Sequence, residues 1–121
     1  MNNLLLVFLG GGVGTLARYG IAAIVQSNFK INFPIATLCS NIITCLILAL
    51  TVTLFSDKLV VNPNLRMLII VGFCGGFSTF SAFSYETVTL MRSGNMMIAI
   101  ANILINVTVC VALIYFLMKR A

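Results

Sequence analysis

Four long apolar stretches alternate with short polar segments along the chain. A helix of about 20 apolar residues is long enough to cross a hydrocarbon core of about 30 Å, and each stretch reaches that length. The pattern therefore predicts an all-α membrane protein that forms a single domain over residues 1–121. We expect its four transmembrane helices at about residues 4–25, 34–55, 67–91 and 96–118.

Composition and charge agree with this prediction. Hydrophobic residues make up 61% of the chain, charged residues only 7%, and the mean hydropathy is +1.16; a soluble domain usually carries about 25% charged residues. The net charge is +5, but the basic residues are scattered near the ends of the apolar stretches. We therefore expect lipid headgroups, and not nucleic acid, to meet them.

The sequence offers little material for catalysis or for a metal cluster. It has no histidine, and its four cysteines lie in apolar stretches without C-x-x-C spacing. We expect no disulfide framework, no side-chain metal cluster and no enzyme active site.

The third stretch carries polar groups at depths where lipid would penalise them. Residues 72–86 read GFCGGFSTFSAFSYE and end on the chain's only glutamate, Glu86. Gly75 and Gly76 can loosen a helix and free backbone carbonyls for a hydroxyl, water or a bound cation. Close helix packing on small residues is the simpler interpretation of the same two glycines.

Two phenylalanines in this segment, Phe80 and Phe83, are three residues apart and so share a helical face. Ordinary packing explains most such pairs. A second interpretation uses the positive partial charge of a phenyl edge, against which an anion can lie. Phenyl edges alternating with the hydroxyls of Ser78, Ser81 and Ser84 would then line a path for a small anion without a fixed charge.

Polar side chains also recur on the second and fourth predicted helices. Thr37 and Asn41 are four residues apart, and Asn102, Asn106 and Cys110 form one stripe at the same spacing. Amides at membrane depth need partners, so each either bonds a neighbouring helix or faces a wet path. We infer a polar track along the fourth helix and an amide donor on the second.

The first and third spans add two isolated charges and a glycine motif. Gly10 and Gly14 form a G-x-x-x-G pair, which predicts a close helix crossing. Arg18 is either a functional group or a side chain that extends to the headgroups. Glu86 pairs with a basic group such as Arg18, bonds hydroxyl groups, or shapes the far end of the polar path.

Three segments resemble one known family. These are GGGVGTLAR at residues 10–18, FPIATLCSN at residues 33–41 and, most specifically, residues 72–86. Together they resemble the Fluc (CrcB-type) fluoride channels over the whole chain. The resemblance implies a passive fluoride-selective channel that exports cytoplasmic fluoride across the prokaryotic inner (plasma) membrane. It also implies an antiparallel, dual-topology homodimer with two pores.

The resemblance assigns roles to individual residues. It implies a structural Na⁺ at the dimer interface, bound by the backbone carbonyls of Gly75 and Ser78. It places pore residues at Asn41, Phe80, Phe83 and Ser81. The chain departs from the family's usual hydroxyl side chains along the polar track at Ala82, Asn102, Asn106 and Cys110.

The charge distribution gives only a weak preference for one orientation. Four spans place both termini on one side, which carries four basic residues against two or three on the other. An antiparallel pair related by a two-fold axis is therefore expected. The side of the termini carries Lys58, Arg66, Lys119 and Arg120. The other side carries Lys30 and Arg92, and Arg18 lies nearer to that side.

Two other classes compete with the channel. A small multidrug-type, dual-topology transporter has the same size, but it needs a carboxylate in its first span, where this chain has none. An assembly subunit of a larger complex would give no reason for the alternation of Phe and Ser. The sequence leaves open whether the chain pairs with itself or with a paralogue.

Overall fold

The computed structural model describes residues 2–28, 33–55 and 62–119, and these are all helical apart from short connections. Four helical segments are long and apolar enough to cross a membrane, which confirms the predicted number. The third segment, Pro63–Arg92, is interrupted and is divided here into α3, residues 63–77, and α4. Helix α4 spans Phe80–Arg92. The remaining helices are α1 (Asn3–Asn28), α2 (Ile35–Leu54) and α5 (Met96–Lys119).

Local sequence signals set the ends of the third and fourth spans. The Asn62 side chain accepts hydrogen bonds from the backbone N–H groups of Asn64 and Leu65, and proline follows it as the first helical residue. At the other end, Gly94 has a φ of 88°. Its left-handed conformation lets the Asn95 N–H reach the Leu90 carbonyl at 2.8 Å, which closes α4 and starts α5.

Glycines bring α1 and α3 into backbone contact. A Cβ at Gly10 would overlap the Leu68 carbonyl oxygen, and one at Gly14 would overlap the Phe73 carbonyl oxygen. On α3, a Cβ at Gly76 would overlap the carbonyl oxygen of Gly11. The close crossing predicted from the G-x-x-x-G pair is therefore confirmed.

The second and fourth spans, α2 and α5, pack against each other, and α4 packs against α5. Because successive spans alternate in direction, α2 and α5 run parallel. The surface they share is polar at its centre, since Ser40, Thr44, Asn102 and Asn106 are all buried. Buried polar side chains therefore stand beside buried apolar ones, such as Ala49 and Ala99, in the interior of the described chain.

The predicted interruption of the third span is present, but its position differs from the prediction. Gly75 is helical, with φ −64° and ψ −35°, so the helix continues through the paired glycines. It breaks at Ser78, with ψ 158°, and at Thr79, with φ −152° and ψ 123°. Contact with α1 explains the difference, because Gly76 serves a close helix crossing there instead of a bend.

Several predictions remain outside what this structure tests. Lys30, Lys58 and Arg120 lie outside the described residues, so the charge asymmetry between the two sides stays a prediction. The antiparallel dimer also stays a prediction.

The contact between α1 and α3 predicts a difference between two glycines on the same helix. Gly14→Ala should lower the free energy of unfolding by about 1–3 kcal/mol, because the new methyl group would overlap the Phe73 carbonyl oxygen. Gly20→Ala is the matched control, since a Cβ there meets nothing within 4 Å. Unfolding in detergent micelles measures both, and equal stability of the two variants would contradict the assigned crossing.

Candidate functional site

The interruption between α3 and α4 is stabilised by side chains. Asn41 Oδ1, on α2, accepts a hydrogen bond from the Thr79 backbone N–H at 3.1 Å. The Thr79 hydroxyl in turn caps α4 by accepting from the Ala82 N–H at 3.1 Å. Ser78 closes α3, because its N–H and its hydroxyl both donate to the Cys74 carbonyl, at 3.0 and 2.8 Å. The break is therefore a hydrogen-bonded element and not a loose segment.

A chain of amide hydrogen bonds runs from Asn41 across three helices. Asn41 Nδ2 donates to Asn106 Oδ1 at 3.3 Å, and Asn106 Nδ2 donates to both the Oδ1 and the backbone oxygen of Asn102, at 2.8 and 2.9 Å. Asn102 Nδ2 donates to the Thr87 hydroxyl at 2.9 Å, and that hydroxyl donates to the Phe83 carbonyl at 2.8 Å. Two residues of the predicted stripe on α5 thus form hydrogen bonds to neighbouring helices, Asn106 to α2 and Asn102 to α4.

A cavity of about 240 Å³ lies where this network meets the interruption. No charged side chain lines it among the described residues. Its walls combine amides, hydroxyls, thiols and phenyl rings from α2, from the break and α4 in the third span, and from α5. The lining residues are Asn41, Cys45, Ser78, Thr79, Phe80, Phe83, Asn106, Val107 and Cys110.

The two predicted phenylalanines form a pair at the cavity wall. The ring centroids of Phe80 and Phe83 are 5.6 Å apart and the ring planes are inclined by 48°. Phe83 is 7% exposed, whereas Phe80 is 78% exposed. One ring is therefore held inside the protomer, and the other stands at its surface beside the cavity.

Four of the predicted pore residues lie away from this cavity lining. Ser81 is exposed, with its hydroxyl 3.4 Å from that of Thr79. Asn102 is only 1% exposed and serves the amide network. Thr37 is buried on α2. The Glu86 oxygen Oε1 is buried without a hydrogen-bond partner in the described part of the chain.

Arg18 has a structural contact in the protomer. Its Nε donates to the Gly76 carbonyl at 3.4 Å, near the C-terminal end of α3. A positive charge there is favourable, because the carbonyl end of a helix carries negative partial charge. In the described part of the chain, Arg18 therefore bonds a backbone carbonyl, and Oε1 of Glu86 has no hydrogen-bond partner.

The interruption also leaves carbonyl groups available to a cation. The Thr79 N–H bonds Asn41 and so does not return to the Gly75 carbonyl four residues earlier. No described backbone N–H beyond the break donates to the carbonyl oxygens of Gly75 or Ser78. Gly75 is exposed, with open space where a Cβ would stand. Two hard oxygen donors at a surface fit part of the coordination shell of a hard cation.

Sequence reasoning missed Val107 of the cavity lining and three polar residues of this site. Thr79 supplies both the N–H that meets Asn41 and the helix cap, Thr87 ends the amide network, and Cys45 lines the cavity. Cys45 was detectable, because it lies four residues after Asn41. The roles of the two threonines depend on where the third span breaks, and the sequence placed that break too early.

The amide network predicts unequal effects of two threonine substitutions on α4. Thr87→Val should lower the free energy of unfolding by about 1–3 kcal/mol, because it leaves the buried Asn102 Nδ2 without its acceptor. Thr89→Val is the control, since the Thr89 hydroxyl is exposed and bonds only the Tyr85 carbonyl of its own helix. Detergent unfolding compares them, and an equally mild effect at both positions would argue against the network.

Comparison with known proteins identifies the family. The family profile described as CrcB-like protein, Camphor Resistance (CrcB), matches residues 5–118. The chain is 40% identical over 112 residues to a protein of Solibacter usitatus named fluoride-specific ion channel FluC, covering 93% of this chain and 92% of that protein. A relative of the same name from Pyrococcus abyssi is 42% identical over 118 residues, covering 96% and 94%. FluC 1 of Yersinia pseudotuberculosis is 42% identical over 106 residues, covering 88% and 83%. With these matches and its four membrane-length helices, the chain belongs to the CrcB-like family of multi-pass membrane proteins.

Proposed function

We propose that the protein is a passive, fluoride-selective ion channel. The observation that carries the proposal is the cavity at the break of the third span, which is lined by the Asn41 amide and the Phe80–Phe83 pair and by no charged side chain among the described residues. The names of the relatives support the same ion.

The donor groups of the cavity suit a small, strongly hydrated anion. An amide NH₂ group can donate two hydrogen bonds, and Asn41 donates one of them to Asn106. The second N–H is therefore available to an ion. Asn106 donates both of its amide hydrogen bonds to Asn102, so it offers no free donor to an ion. It instead orients Asn41, whose NH₂ group it accepts from. Phenyl edges add a weakly positive surface. Because none of these groups is charged, an anion can exchange its water for them and still leave.

The surface of the protomer supports assembly with a second copy. Phe80 and Gly75 are both exposed in the protomer, although they belong to the predicted pore and cation sites. An antiparallel homodimer would cover both and would hold two equivalent pores. A two-fold axis near the break would bring two copies of the Gly75 and Ser78 carbonyls together, which provides four oxygen ligands for a structural Na⁺.

The proposed setting is the inner membrane of a prokaryotic cell, where the channel would let cytoplasmic fluoride leave down its gradient. Conduction breaks no covalent bond, so the proposal assigns no catalytic residue. The multidrug-transporter alternative is disfavoured, because α1 contains no carboxylate and the relatives are named as fluoride channels.

Substitutions at the cavity test the function directly. We expect Phe80→Ile to abolish fluoride efflux from proteoliposomes, because it removes the ring edge. Asn41→Asp should do the same, because it replaces the free NH₂ donor by a negative charge. A fluoride-selective electrode measures the efflux, and chloride efflux from the same vesicles should stay at the background rate.

Matched controls separate these effects from misfolding. Phe116→Ile changes another exposed phenylalanine, 58% exposed and outside the cavity lining. Asn64→Asp adds the same charge in the first turn of α3, at an exposed position. Both should conduct normally. Normal efflux through Phe80→Ile and Asn41→Asp would refute the residue assignments, and equal fluoride and chloride rates would refute the selectivity.

Removal of sodium tests the cation site. When all Na⁺ is replaced by a bulky organic cation at equal ionic strength, we expect fluoride efflux and dimer content to fall together, because facing carbonyls would repel each other without the ion. Restoring Na⁺ should recover both. Unchanged efflux and an unchanged dimer in sodium-free buffer would contradict a structural role for Na⁺.

A further inference from the structure

Two cysteines face each other one helical turn beyond the amide pair. Cys45 follows Asn41 by four residues on α2, and Cys110 follows Asn106 by four residues on α5. The bonded amides are separated by 65 residues in the chain, and so are the two cysteines. On parallel helices, this shared register places the two thiols on facing positions, and both belong to the lining of the same cavity.

Both thiols are accessible from the cavity. Cys45 and Cys110 are partly exposed and belong to the cavity lining. The other two cysteines differ from them, because Cys74 is buried and Cys39, although partly exposed on α2, is not part of that lining. All four are free cysteines. The cavity therefore contains one facing pair of reduced thiols.

The chemistry of this pair does not match that of the adjacent amides. A thiol is a weak hydrogen-bond donor, so it contributes little to a hard anion such as fluoride. As a thiolate it is a soft ligand, which selects soft metal cations over hard ones. The part of the cavity lined by the two thiols therefore binds a hard anion least well and a soft cation best.

We propose that Cys45 and Cys110 form a two-coordinate site for a soft metal cation of the Hg²⁺, Ag⁺ or Cu⁺ class, and that the bound cation obstructs the cavity. With Hg²⁺, the two S–H bonds give up their protons to solvent and two S–Hg bonds form, so one ion binds and two protons are released. No oxidant or reductant takes part in this step.

The helix packing favours binding by both sulfurs. The Asn41–Asn106 hydrogen bond and the contact between α2 and α5 hold the two thiols near each other before the metal arrives. After one sulfur has bound, the second binds as an intramolecular ligand at a high effective concentration. A single cysteine such as Cys39 lacks this advantage and should release its metal to a competing monothiol.

Mercury retention tests the site without reference to transport. Purified protein in detergent is treated with Hg²⁺ and then with free cysteine in excess, and retained mercury and remaining free thiols are counted per protomer. We expect one retained Hg²⁺ and the loss of two of the four thiols. Cys45→Ser and Cys110→Ser should each retain none, whereas Cys39→Ser and Cys74→Ser should retain one. Retention by either of the first two variants, or none by the parent protein, would overturn the site.

The obstruction rests on the proposed function and is measured separately. In proteoliposomes, Hg²⁺ should stop the fluoride efflux of the parent protein and of Cys39→Ser, and a dithiol should restore it. Each cavity variant is compared with its own untreated rate, and Cys45→Ser and Cys110→Ser should need about a hundredfold more Hg²⁺ for the same inhibition. Full efflux from protein that retains mercury would overturn the obstruction. The mercury-retention experiment tests metal binding by Cys45 and Cys110 even if the untreated protein conducts no fluoride.

Discussion

The hydrogen bond between Asn41 Oδ1 and the Thr79 N–H is the contact on which the site depends. A helix interrupted at membrane depth exposes backbone groups that lipid cannot satisfy, and each such group costs several kcal/mol. Asn41 supplies the missing acceptor from a different span, and the Thr79 hydroxyl supplies the cap for the helix that follows. The break can persist because Asn41 accepts from one of its N–H groups and the Thr79 hydroxyl accepts from another.

The same amide connects the break to the remaining helices. Its NH₂ group bonds Asn106, which is itself oriented by Asn102, and Asn102 is bonded to Thr87 on α4. Buried polar networks are favourable only when their members are satisfied, and this one closes over three helices. Within the described residues, Asn41 Nδ2 donates only to Asn106, so its second amide proton has no protein acceptor there. The network thus orients the single donor that the proposed conduction requires.

The opposite side of the protomer is built on close backbone contact. Gly10 and Gly14 on α1 admit the backbone of α3, while Arg18 binds the carbonyl of Gly76 near its end. These contacts make α1 and the first half of the third span one rigid pair up to the break. The second half departs from that pair and packs with α5. The cavity lies at the break, and its lining comes from the break itself and from the helices that the amide network connects, α2, α4 and α5.

The sequence by itself determined the class of fold and the chemical character of the site. Span lengths follow from bilayer thickness, and the four-residue spacing of Asn102, Asn106 and Cys110 follows from the helical repeat, so both could be read directly. The G-x-x-x-G pair predicted its helix crossing for the same local reason. The tertiary structure decided where the third span breaks, because Gly75 and Gly76 tolerate a helix or a bend equally well and only contact with α1 selects the helix. It also decided which polar groups meet. Thr79 with Asn41 and Thr87 with Asn102 are contacts between separate helices, and Cys45 and Cys110 line one cavity. The register of these residues depends on helix packing, which a local sequence pattern does not contain.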